Sequence, residues 1–191
     1  KNISDFIRSA RNHGISKTLA SRFSKGKPWN YDIENPGYNY RLDEIRASLG
    51  INQMKRIKKM NLLRKKVANY YTEKLENVNG VVVPDKSIGT DHVHHLYVIR
   101  ITGKYSITRD MLFNKLLNKG IRTSVHYKPL HMFTAFKKMA KISGSLSNSK
   151  EAYSQILSLP IYPSISKKQQ DLVIHNIGKY EGWSKYLLVY F

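Results

Sequence analysis

The chain has 191 residues, 41% of them hydrophobic, a formal net charge of +20 and no cysteine. This length suits one domain or one and a half, and the composition is globular rather than disordered. The absent thiols exclude disulfides, thiolate nucleophiles and cysteine-based zinc sites; no run approaches the roughly 18 apolar residues that cross a bilayer, no signal-peptide core follows Lys1, and a cytoplasmic protein is expected.

A pI near 10.0 ordinarily raises nucleic acid as a partner. Here the lysines are spread along the whole chain. The densest cluster, Lys55-Arg56-Ile57-Lys58-Lys59 with Arg64-Lys65-Lys66, is broken at helical spacing by apolar residues. That pattern describes a solvated helix face, so nucleic acid is not the expected partner. A positive field would still favour a nucleotide diphosphate.

In chain order, Ile3, Phe6, Ile7 and Ala10 recur at i, i+3, i+4, i+7 and predict a short amphipathic helix stopped by Gly14. From His13 to Gly37 periodicity is absent and a long irregular loop is expected, functional or interfacial in role. A helix then runs from Arg41 to about Leu49, with Gly50 marking a bend or junction. A longer helix follows, its apolar stripe formed by Met60, Leu63, Val67, Tyr71 and Leu75. Val81-Val82-Val83-Pro84 and His95 to Ile101 read as strands. Thr108 is a natural N-cap for a helix ending at Gly120. Ile121 to Val125 is expected as a strand, Thr134 to Ala140 and Ser149 to Leu157 as helices, and Ser166 caps a last helix to about Lys179. The predicted order β-β-α-β-α-α-α describes a small α/β layer domain with its sheet covered on one face.

Five places bear chemistry-competent residues. Arg11-Asn12-His13-Gly14 carries a glycine suited to positive φ and a histidine expected to hydrogen-bond structurally. The segment Phe23 to Tyr31 is basic and aromatic, which suits approach to a nucleotide diphosphate; the preferred reading is a dimer-packing loop anchored by Trp29. In Gly37-Tyr38-Asn39-Tyr40-Arg41 an asparagine precedes a helix start, where an amide and free N–H groups suit a phosphate, although an N-cap is the commoner role. Ser124-Val125-His126-Tyr127-Lys128-Pro129-Leu130-His131 leaves a strand and ends in a proline-fixed turn, a usual place for side chains that point into a cleft. His92, His94 and His95 invite a zinc hypothesis. Adjacent His94 and His95 would point to opposite strand faces, so no metal site is expected.

Of these, Arg11-Asn12-His13-Gly14, the Gly37 to Arg41 element and Ser124 to His131, together with Leu157-Ser158-Leu159-Pro160-Ile161-Tyr162-Pro163, resemble the C-terminal half of DegT/StrS-type nucleotide-sugar aminotransferases, over roughly Ile3 to Ile177. The resemblance implies an α/β chain, the C-terminal part of a fold-type-I, aspartate aminotransferase-like enzyme using pyridoxal phosphate: a small α/β domain plus a remnant of the large domain. Residues 1–50 would end the large domain and carry a dimer-interface loop, 51–77 form a linking helix, 78–180 the small domain, and 181–191 an apolar tail without counterpart. It also implies that Asn39 reaches across a homodimer to the cofactor phosphate of the neighbouring subunit. His126 would line the substrate side, with Tyr127 and His131 as further candidates there. Arg41 would touch substrate, or else hold its loop by a salt bridge to Asp43-Glu44. The Leu157 to Pro163 element would be architectural, its prolines fixing a turn.

The implied reaction moves an amino group, typically from glutamate, to a nucleotide-linked keto-sugar, and membranes play no part. In the family the lysine that forms the Schiff base lies upstream of the matched region, so no catalytic residue is expected here and the 191 residues alone are expected to be inactive. Two other readings stand beside this one. A related sugar dehydratase would carry histidine in place of that lysine, and a non-catalytic cationic module would bind anionic polymers in a salt-dependent way.

Overall fold

The computed structural model describes residues 2–15, 29–85, 92–141 and 143–180. Most of the expected Phe23 to Tyr31 loop, and the apolar tail 181–191, lie outside the described residues. The chain divides into two compact units, Lys1–Arg56 and Ile57–Phe191.

In the first unit, helix α1 (Asn2–Ala10) runs into a turn that carries positive φ at both His13 and Gly14. The returning segment crosses this turn through backbone hydrogen bonds: Tyr38 N–H to Ala10 C=O at 2.7 Å, His13 N–H to Tyr38 C=O at 3.0 Å, and Tyr40 N–H to Arg11 C=O at 2.9 Å. So close an approach excludes side chains at two points. A Cβ on Gly37 would stand 2.2 Å from Gly14 N, and one on Gly14 would stand 1.7 Å from Asn35 O. Glycine is therefore required at both places. The apolar stripe of α1 is present as expected, but Ile3, Phe6 and Ile7 are all exposed within this unit.

Helix α2 spans Glu44–Leu75 without interruption. The expected start at Arg41 moves to Glu44, because Asp43 acts as its cap: Asp43 Oδ1 accepts from Arg46 N–H at 2.9 Å. No junction forms at Gly50. Nothing would contact a Cβ there, and a solvated glycine lowers helix stability by only about 1 kcal/mol without breaking the hydrogen-bond ladder.

The second unit closes a core of its own. Three antiparallel strands lie in the order β1 (Val81–Val82), β2 (Tyr97–Ile101), β3 (Ile156–Leu159). The register sets Tyr97 opposite Leu159, Val98 opposite Ser158 and Ile99 opposite Leu157. Because side chains alternate along a strand, Tyr97, Ile99, Ile101, Leu157 and Leu159 share one face. They pack with Val67, Ala68, Tyr71 and Leu75 of α2, Leu112 and Leu116 of α3 (Arg109–Asn118), and Val173 and Ile177 of a later helix, Lys167–Gly178.

The caps follow the predicted residues. Thr108 Oγ1 accepts from Met111 N–H at 3.3 Å at the start of α3. At its end Gly120 N–H bonds Leu117 C=O and Ile121 N–H bonds Leu116 C=O, both at 2.9 Å, the Schellman closure that a positive-φ glycine allows. Helices α4 (Thr134–Met139) and α5 (Ser147–Gln155) follow, and Ser166 opens the last helix, α6, in a full capping box with Gln169.

Two strand expectations are corrected. Ile121 to Val125 forms no ladder, only a single antiparallel bridge, Ser124 to Ser158. The third strand is instead Ile156–Leu159, which directly follows α5 in a region expected to be helix and turn. Pro160 then ends it, since proline has no N–H to give a ladder.

Candidate functional site

The Asn39 loop belongs to the first unit. Tyr38 and Tyr40 stack with ring centroids 5.1 Å apart and planes within 12°. In extended backbone this places the Asn39 side chain on the other side from the ring pair. Asn39 is exposed, and among the described residues its amide has no hydrogen-bond partner. Its backbone, by contrast, is pinned by an antiparallel bridge to Asn12. The result is a fixed peptide carrying a free amide, able to donate two hydrogen bonds and accept others.

Arg41 stands two residues on and is exposed. The ion pair with Asp43 or Glu44, the alternative to substrate contact, is absent: Arg41 Nε donates to Asn12 Oδ1 at 2.8 Å. Asp43 instead pairs with Arg46 at 3.2 Å. The reason is local, since capping α2 commits the Asp43 carboxylate to Arg46. Arg41 thus ties the Asn39 strand to the Arg11-to-Gly14 turn. His13 joins the same turn through its backbone N–H, and among the described residues its ring makes no hydrogen bond.

The His126 loop belongs to the second unit. The Ser124 bridge holds it against β3, with Ser158 N–H to Ser124 C=O at 2.8 Å and the reciprocal bond at 3.2 Å. His126 is half-buried and its Nδ1 lies 2.8 Å from Ser158 Oγ. Tyr127 meets the imidazole edge-on at 4.7 Å between centroids and is 73% exposed, leaving its phenol free to reach a ligand. Pro129 then starts a 3-10 turn, Leu130–Met132, in which His131 is half-buried with Nε2 unpaired among the described residues. His126 and Tyr127 are therefore brought together, and His131 follows in the next turn.

The His92 to His95 cluster lies outside β2. His92 and His94 rings are 4.4 Å apart, and both line an open cleft with Lys65, Thr72, Glu73 and Tyr97. Burial, reinforced by nearby His92 and Lys65, lowers the pKa of His94. Among the described residues no group of three histidine or carboxylate side chains could hold a metal ion. Of the basic cluster on α2, Arg64 departs from the solvated face expected of it: it is half-buried and its Nη1 donates to Ile161 C=O at 3.0 Å. Among the described residues no helix is long and apolar enough to cross a membrane.

With this geometry established, comparison with known proteins gives the family. Residues 1–178 match the model of the DegT/DnrJ/EryC1/StrS aminotransferase family, and the chain belongs to it. The spore coat polysaccharide biosynthesis protein SpsC of Bacillus subtilis is 32% identical over 92% of this chain and 46% of its own length. The UDP-4-amino-4,6-dideoxy-N-acetyl-beta-L-altrosamine transaminase of Campylobacter jejuni serotype O:2 is 31% identical, over 88% of this chain and 43% of its own length. The crystal structure of a DegT DnrJ EryC1 StrS aminotransferase from Brucella abortus superposes with a TM-score of 0.76 at 31% identity, covering 95% of this chain and 44% of that one. The mixed α/β fold is thus that of part of a fold-type-I aminotransferase. The chain spans about half the length of the relatives it matches.

Proposed function

We propose that this chain forms the C-terminal half of a pyridoxal phosphate-dependent aminotransferase that moves an amino group, from glutamate, to a nucleotide-linked keto-sugar, acting as a cytoplasmic homodimer. One observation carries the reading: Asn39 offers an amide unpaired among the described residues, from a backbone fixed by the Gly14 and Gly37 crossing, in a member of an aminotransferase family. An exposed amide on a rigid peptide suits a phosphate, because its N–H groups can donate without first breaking an internal bond. The residues present therefore fit one contact to the cofactor. The lysine that would carry it is expected in the half of the relatives that this chain does not span.

When bound, the cofactor supplies the electron sink for amino-group transfer. The roles of this chain's residues are binding and orientation. Asn39 donates to a phosphate oxygen of the cofactor held by the neighbouring subunit. Arg41 keeps that loop in register through Asn12 and lies beside the incoming anionic substrate. His126 and Tyr127 hydrogen-bond sugar oxygens. The net charge of +20 raises the local concentration of a nucleotide diphosphate.

The reading is tested with a chimera joining these 191 residues to the half of a relative such as SpsC that this chain does not span. Cofactor-dependent amination of a UDP-keto-sugar is expected, together with at least a tenfold loss in kcat/KM on His126→Gln, on the order of one lost hydrogen bond to substrate. The 191-residue chain alone is expected to give no turnover. Turnover by it, or a chimera that dehydrates the sugar without aminating it, would overturn the proposal.

A further inference from the structure

Ser158 sits in the Leu157 to Pro163 element, whose expected role is architectural, yet its surroundings give it another. Its strand neighbours Leu157 and Leu159 face the core, so alternation turns Ser158 to the opposite face of the sheet. There it is only 5% exposed. Its Oγ stands 2.8 Å from His126 Nδ1, and among the described residues it has no other hydrogen-bond partner. The paired backbone bonds between Ser124 and Ser158 fix the spacing between the two segments.

A neutral imidazole carries its single proton on one nitrogen or the other. Were it on Nδ1, the ring would donate to Ser158 Oγ, and the serine's own proton would be buried with nothing to accept it. Were it on Nε2, the hydroxyl would donate to Nδ1 and every buried proton would be paired. Leaving a buried donor unpaired is the costlier choice.

We infer that Ser158 is a positioning residue that holds neutral His126 as the Nε2–H tautomer, so that the ring meets its ligand as a hydrogen-bond donor and selects an accepting oxygen on the sugar. The step from tautomer to ligand rests on the proposed role of His126. The tautomer itself does not.

The test uses the full 191-residue chain with 15N-labelled histidine, at a pH where the imidazoles are neutral, in a two-bond 1H–15N correlation spectrum. His126 is expected to show a protonated-type Nε2 and an unprotonated-type Nδ1, with a tautomer ratio of about ten to one or more, as the penalty for an unpaired buried donor requires. Ser158→Ala is expected to bring both nitrogens towards averaged shifts. A purely structural serine would leave the ratio unmoved, and that result would overturn the inference. So would a wild-type spectrum with the proton on Nδ1, which needs no variant to fold. These spectra involve no substrate, so a negative outcome removes the role of Ser158 while leaving the substrate contact of His126 to the chimera.

Discussion

The two units solve opposite problems. In Ile57–Phe191 apolar side chains from α2, α3, α6 and three strands cover one another, and every buried hydrophobic side chain among the described residues lies there. In Lys1–Arg56 the one buried described residue is Gly14, while large apolar groups such as Ile45, at 83% exposure, face solvent. The first unit is therefore held by a backbone crossing and the second by burial. The difference teaches where each candidate site gets its rigidity. Asn39 depends on two glycines and a set of main-chain bonds, whereas His126 depends on a serine in a core strand.

The comparison can be broken first in the second unit. Leu116→Ala empties a fully buried position and is expected to cost about 3–4 kcal/mol of unfolding free energy, read by urea denaturation. A loss under about 1 kcal/mol would mean the core is not what holds that unit. Next, Gly37→Ala would force a Cβ to 2.2 Å from backbone at Gly14. Backbone cannot step aside as a flexible side chain can, so a local loss of about 2–3 kcal/mol is expected. Hydrogen exchange should accelerate at His13, Tyr38 and Tyr40 and stay unchanged at Ile99 and Leu116. Acceleration in both sets would erase the distinction between the units.

A smaller effect is alkaline. Burial raises the Tyr97 phenol from 10.0 to about 12, and its hydroxyl lies 2.8 Å from Thr72 Oγ1. The folded state therefore keeps this proton longer than the unfolded chain does. Its contribution is fully present below pH 10 and is lost as pH rises through about 12. Because the hydroxyl meets the rim of an open cleft, the loss is on the order of 1–2 kcal/mol rather than the full value. Tyr97→Phe should flatten the stability curve in that window. The smallest effect belongs to Asn39→Ala: an exposed side chain, unpartnered among the described residues, should change the unfolding free energy by less than about 0.5 kcal/mol.

Much of the second unit was legible because its signals are local. The stripe Val67, Tyr71 and Leu75, the caps Thr108 and Ser166, and the stop at Gly120 each rest on a few neighbouring residues. Ile156–Leu159 was not legible. It is a four-residue run, apolar but for Ser158, between helix and proline, and only its pairing with β2 defines it as a strand. Missing that strand also hid Ser158, whose importance comes from facing His126 across a bridge rather than from any motif. The ion pair weighed as the other role for Arg41 failed for a related reason: adjacent acids suggested it, but the cap of α2 had first claim on Asp43. The fixed loop around Asn39 was marked by Gly14 and Gly37, although the crossing that requires them is a tertiary fact.

The cofactor dissociation constant of the chimera, with and without Asn39→Ala, bears most directly on the central claim that this amide serves a phosphate. Removing a hydrogen bond to a charged group should weaken cofactor binding about tenfold or more, while the unfolding midpoint of the 191-residue chain stays where it was. Unchanged cofactor affinity in the substituted chimera would contradict the claim.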